Sequence, residues 1–184
     1  MSLQEEVEQH IINESIDIDI SNQTSTAHLP LLNGPSIYLS PNRKIALQVY
    51  NQQLRRLSKH PEDKQDVLKS EQKLQALGYV EYVKNVTPEI QKSLHDINIA
   101  NFIPWRTVWK ENSISTPCRV VFDASTKTES GCSLNSIIAK GRNNMNKLME
   151  IFVRWRGHQI GIHTDVAKMY NSIKLDQSHC CLQR

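Results

Sequence analysis

Two short stretches of this chain carry residue types that do metal and phosphate chemistry. Ile160–Tyr170 (IGIHTDVAKMY) alternates in polarity, delivers one carboxylate, Asp165, and then changes period. Upstream, Arg119–Ser125 (RVVFDAS) is an apolar run with an arginine at its start. A carboxylate at a strand end is a helix cap, a surface group or a metal ligand, because burying it unpaired is costly. Spacing alone favours capping of the AKMY turn that follows. Arginine contributes a permanently charged, fork-shaped donor set suited to phosphate. Together the two stretches suggest a strand-borne metal ligand facing a phosphate-binding guanidinium.

The elements that would hold these groups follow from periodicity. Ser40-Pro41 reads as a helix start, and Leu47, Tyr50, Leu54 and Leu57 repeat at helical spacing beyond it. Pro61 opens a second helix with Glu62 and Asp63 in its first turn, a stripe of Val67, Leu68, Leu74 and Leu77, and Gly78 as its stop. The pair reads as a basic helical hairpin. Tyr79–Val83 alternates as a strand, and Lys84–Asn101 reads as a long polar loop. Phe102–Lys110 and Cys118–Ala124 predict a β-hairpin across the polar turn ENSIST. Ser133–Ile138 is short and apolar. Met145, Leu148, Met149, Phe152 and Trp155 mark an amphipathic helix ending at Gly157, and Gln159–Asp165 is the next expected strand. A right-handed parallel crossover through that helix would set 159–165 beside 119–124. The mixture is α/β or α+β, without internal repeats.

Composition narrows the class. The 184 residues suit one domain. The net charge of +3 hides an asymmetry: residues 1–30 hold six acidic and no Lys or Arg side chains, leaving 22 basic against 13 acidic afterwards. A basic body behind an acidic tail suits a polyanionic partner. The tail, with a weak apolar face of Leu3, Val7, Ile11 and Ile12, is expected to be partly disordered up to about Leu29. The four cysteines form no C-x-x-C pair, and neither a secretory signal nor a membrane-length apolar run is present. The expected setting is intracellular, cytoplasmic or nuclear, with reduced thiols.

The ordered motifs RVVFDAS, Ser133-Leu134-Asn135, the helix with RWR and HTDVAKMYNSI resemble the fingers and first palm strand of a reverse transcriptase. They are similar in particular to the Pao/BEL class of long-terminal-repeat retrotransposons. NFIPWRTVWK resembles the same family's stretch before the fingers strand, and the helical hairpin and HLPL resemble the segment preceding its polymerase. The likeness is strong over 102–184 and loose before that. It implies an α+β chain: an acidic tail at 1–30, a helical hairpin extension and loop at 31–101, and an incomplete fingers/palm fold at 102–184.

Carried over by position, the resemblance makes Asp165 the first catalytic carboxylate. With the Val166 carbonyl it would ligate Mg²⁺, in a reaction where two ions about 3.5–4 Å apart activate a primer hydroxyl and stabilise pyrophosphate. Arg119 would clamp the triphosphate of an incoming dNTP, Tyr170 would gate against a 2′-hydroxyl, and Lys110 would meet phosphate or template. The implied partners are an RNA or DNA primer-template, dNTPs and the remaining palm, thumb and RNase H regions. Departures limit the activity. Trp105-Arg106 replaces a histidine pair, Gly141-Arg142 replaces Gly-Pro, and no adjacent Asp-Asp pair occurs. The chain alone is therefore expected to be an inactive part of an RNA-directed DNA polymerase. The alternatives are a non-catalytic nucleic-acid-binding module and an unstable retroelement relic. No phosphate-loop or zinc-site pattern competes.

Overall fold

The computed structural model describes residues 2–19, 24–33, 39–85, 87–88, 91–92, 101–110, 118–166 and 169–184, and these form a mixed α+β chain. Helix α1 (Leu3–Glu14) follows a reciprocal cap, in which Glu5 N donates to Ser2 Oγ and Ser2 N donates to the Glu5 carboxylate. Strands β1 (Ile16–Asp19) and β2 (Thr24–Ala27) then pair antiparallel, with Ile16 opposite Ala27. The tail expected to be partly disordered is thus a helix and a hairpin in its described residues. Its capping box and the alternation IDID were the local signals for order. The rest of the tail, at 1 and 20–23, lies outside the described residues.

The helical hairpin forms as its periodicity predicts. Helix α2 (Arg43–Lys59) and helix α3 (Pro61–Ala76) share His60 as junction, and Pro61 occupies the start of α3. Gly78, at φ +72°, takes the left-handed conformation that closes α3. The start of α2 differs from expectation: Ser40 does not cap it. Ser40 Oγ instead accepts from Ser130 N, and Asn42 stands before the first turn with its side chain bonded elsewhere. Tyr79–Val83 is no strand either. It has no ladder partner among the described residues, and Val83–Asn85 makes a 3₁₀ turn. The expected loop at 84–101 lies largely outside the described residues.

Strand β3 (Trp105–Trp109) and strand β4 (Cys118–Phe122) pair antiparallel in full register, Trp105 opposite Phe122 and Trp109 opposite Cys118. The connecting turn at 111–117 lies outside the described residues. Cys118 is buried with Leu57 of α2 and Val67 of α3, while Trp105, Trp109 and Val120 pack against them. Tyr50 meets Trp105 edge-on, with centroids 6.1 Å apart. This is the first apolar core.

The second core joins distant parts of the chain. Ser133 begins helix α4 (Leu134–Ile137), a single turn where a short apolar segment was expected. Leu134 and Ile137 are buried with Leu39, Cys181 and Leu182, the last two from the 3₁₀ turn Gln177–Leu182. Strand β5 (Lys174–Leu175) adds parallel to β2, giving the order β1-β2-β5. Helix α5 (Leu148–Arg156) ends at Gly157 as predicted. The strand expected over Gln159–Asp165 is absent: residues 159–166 lack regular structure, and Ile160 and Ile162 are more than 80% exposed. Alternation supplies a face, but a strand needs a neighbour for its backbone bonds. Among the described residues β4 pairs with β3 alone. Among the described residues no helix is long and apolar enough to cross a membrane.

Asn42, 2% exposed, donates to Asn101 Oδ1 and to the Phe102 carbonyl, both at 2.9 Å, and accepts from Phe102 N at 2.8 Å. Asn42→Ala strands those groups, so urea unfolding should show a loss of at least about 2 kcal/mol with an unchanged denaturant slope. His179 Nδ1 accepts from Leu29 N at 2.8 Å, which requires a neutral ring. Burial, with the neighbouring His28 adding, holds its pKa below the ordinary value against the opposing pull of Asp176. The unfolded chain therefore takes up this proton first on acidification. Stability from this group is complete above the ordinary histidine value and falls as pH drops through it toward the lower folded pKa. Thermal melts between about pH 8 and pH 5 should show that decline, and His179→Gln should flatten it.

Candidate functional site

The β3–β4 hairpin sorts its side chains by parity. Trp105, Thr107, Trp109, Cys118 and Val120 turn toward α2 and α3, whereas Arg106, Val108, Arg119 and Val121 lie on the exposed face. Direct pairs Arg106–Val121 and Val108–Arg119 share that outer face, and exposed Lys110 follows β3 immediately. Three cations thus come from one short hairpin.

Their partners differ. Arg106 Nε donates to Asp123 Oδ2 at 3.0 Å, across an ion pair in which Arg106 is half exposed. Asp123 also accepts from the Ser125 hydroxyl and backbone N and from Thr126 Oγ1. The Ser125 hydroxyl contributes most to holding the Asp123 carboxyl below its usual range, against some burial, with Arg106 and Thr126 adding to it. Asp123 therefore anchors the strand end, and Arg106 is committed to it. Arg119 and Lys110 have no side-chain hydrogen bond or ion pair among the described residues. They are the outward charges available to a ligand.

The carboxylate half of the expected site is less built. Asp165 and Val166 are exposed in the irregular segment, Val166 by 64%, and Asp165 makes no side-chain hydrogen bond or ion pair among the described residues. It does not cap a described helix. Ala167 and Lys168 lie outside the described residues, and Tyr170 falls in the 3₁₀ turn Met169–Ser172. No described sheet joins Asp165 to Arg119, so the expected facing arrangement is not assembled by strand pairing. Nor do three or more His, Cys, Asp or Glu side chains converge as a metal cage among the described residues. One exposed carboxylate does not match the donor set of a two-metal centre, whose hard cations need several fixed oxygens.

A further basic surface was visible in the sequence only as a helix end. Gln52, Arg55, Arg56 and Lys59 of α2 line a shallow depression with His60. Their spacing of three and four residues puts them along one side of the helix. The signal was the run QQLRRLSKH itself. No family model, curated protein or solved structure matches the chain.

The electrostatics of the hairpin give a ranked prediction. Ser125→Ala should raise the Asp123 pKa more than Arg106→Ala does, as read by carboxyl NMR titration. Because the folded pKa is depressed, the stabilisation exists above the ordinary aspartate value and disappears as pH falls through the folded one. Arg106→Ala at neutral pH should cost only about 0.2–1 kcal/mol, as for exposed pairs. A larger effect of Arg106→Ala on the titration would contradict this order.

Proposed function

We propose that the chain is the fingers and leading palm portion of an RNA-directed DNA polymerase of a Pao/BEL-like retroelement. What carries the reading is the ordered series RVVFDAS, SLN, RWR and HTDVAKMYNSI. The outward position of Arg119, without a carboxylate partner among the described residues, supports it. In this reading Arg119 grips the triphosphate of an incoming dNTP, and Lys110 meets phosphate or template. Asp165 and the Val166 carbonyl would be the chain's share of a Mg²⁺ site that these two groups do not complete by themselves, and Tyr170 would be the sugar gate. The metal would supply charge neutralisation at the phosphates. The chain's own task is to hold the nucleotide tail and the template backbone. With one carboxylate in place, it binds but does not polymerise.

A second reading is a non-catalytic nucleic-acid-binding module. The basic side of α2 favours it, since Arg55, Arg56 and Lys59 require no metal site to attract phosphate.

Titration of the full chain with a fluorescent primer-template at increasing salt tests the common ground. Affinity should fall steeply, and Arg119→Ala or Lys110→Ala should each reduce the salt slope by about one. Salt-insensitive binding, or none at low salt, would sink both readings. Specific dNTP binding that is lost in Arg119→Ala separates the polymerase ancestry from the simple module. Primer extension abolished by Asp165→Asn would show that the chain is active after all.

A further inference from the structure

The loop between α4 and α5 holds a carboxylate that the polymerase reading does not use. Oε2 of Glu8, on α1, accepts from Lys140 N at 2.9 Å and from Gly141 N at 3.1 Å. The next amide, Arg142 N, donates to Gln9 Oε1 at 3.2 Å. Three successive N–H groups thus point toward one side of the loop. Gly141 makes this possible with φ +60°, and a Cβ there would run into Ile12 of α1. Consecutive amides bent in this way form an anion-binding concavity. The exposed side chains of Lys140 and Arg142 add positive charge on either side.

The occupant has the character of a stand-in. Helix α1 buries none of its residues, so little apolar area holds it down. Its Glu8 carboxyl lies below the usual range, chiefly through the Gln4 amide and then through the two loop amides, with the Lys140 charge adding. The region it belongs to has six acidic groups and no Lys or Arg, the reverse of the chain beyond it.

We infer that the 140–142 loop is a phosphate-binding site, and that Glu8 fills it as an internal competitor. Phosphate bound at the three amides and flanked by Lys140 and Arg142 displaces the carboxylate and releases α1. The acidic helix is then an autoinhibitory contact that lowers affinity for phosphate. That the phosphate belongs to a nucleic acid rests on the function proposed above. The loop's affinity for phosphate does not.

Amide NMR of the full chain, titrated separately with inorganic phosphate and a single-stranded DNA oligonucleotide, tests this. Glu8→Ala should tighten both ligands by about fivefold or more, within the usual range of coupling between sites. The Lys140 and Gly141 amide signals should move on addition of either ligand. Glu8→Gln, which keeps a neutral acceptor, should gain less. Glu6→Ala removes the same charge from the same helix without touching the loop, and should gain less than about twofold. Equal gains in Glu6→Ala and Glu8→Ala, or no gain in either, overturn the inference. A phosphate gain without an oligonucleotide gain keeps the loop site and removes nucleic acid as its source. Oligonucleotide binding that leaves both amide signals still overturns the loop site while the nucleic-acid reading survives.

Discussion

A buried pair of asparagines ties this fold together. Asn42 precedes α2, Asn101 leads into β3, and their side chains bond to each other. Asn101 also donates from its side chain to the Leu182 carbonyl, and its backbone N donates to the Cys181 carbonyl. Three segments distant in sequence are therefore held at one point by polar contacts. Each bond contributes only about 1 kcal/mol net, but an unmet buried amide costs about 1–3 kcal/mol. That asymmetry makes the arrangement specific: sliding any of the three segments strands several polar groups together. The same network explains why Asn42 offers no cap to α2, since its amide is turned toward Asn101 and Phe102.

From that point the two cores separate tasks. One joins the hairpin to α2 and α3 through Leu57, Val67 and Cys118, and so fixes which face of β4 turns outward. Burial, with Asp66 and Asp63 adding, pushes the Cys118 thiol up against the opposing Arg56, which keeps it neutral and suited to a core. Arg119 follows one residue later and is exposed by strand parity alone. The other core closes the chain around Leu134 and Leu182, using the 3₁₀ turn at Gln177–Leu182 as its lid. Arg184 extends this closure, with its guanidinium 4.8 Å from the centre of the Phe102 ring.

What the sequence made legible follows from the range of the forces involved. The helical hairpin, its Pro61 start and its Gly78 stop were readable because periodicity and turn chemistry act within a few residues. The β3–β4 pairing was readable for the same reason, being sequence-adjacent. Outward placement of Arg119 was not part of that reading and comes from the burial of its neighbours Cys118 and Val120 against the helices. The partnership of β2 with β5 was not legible, because two residues at Lys174–Leu175 carry no strand pattern and their partner lies far upstream. The Asn42–Asn101 contact was equally hidden, since asparagines in polar stretches resemble turn formers. The support that Asp123 gives the strand end, through its bonds to Ser125 and Arg106, depends on a local turn. Glu8 and the 140–142 loop gave no signal beyond one glycine.

The failure of strand formation at 159–165 has a single geometric root. In a β-α-β crossover the helix covers one face of the two strands it joins, and each strand completes its backbone bonding through the other. Here the helix and the first strand are present, and the segment at 159–165 has no ladder among the described residues. The consequences are found together. Helix α5 buries no residue, and Met149 and Val153 are each more than 60% exposed. Ile160 and Ile162 lie bare on the segment that follows, and Val121 and Phe122 remain half exposed on β4. A nine-residue helix is below the length at which propensity alone holds it in water, about 12–15 residues. Its order therefore depends on contacts that its apolar side does not make within the described chain. The position of Asp165 depends on the same contacts, because only a paired strand would fix the direction of that carboxylate. Among the described residues Arg119 has such a strand and Asp165 does not, so the guanidinium is the better positioned of the two groups.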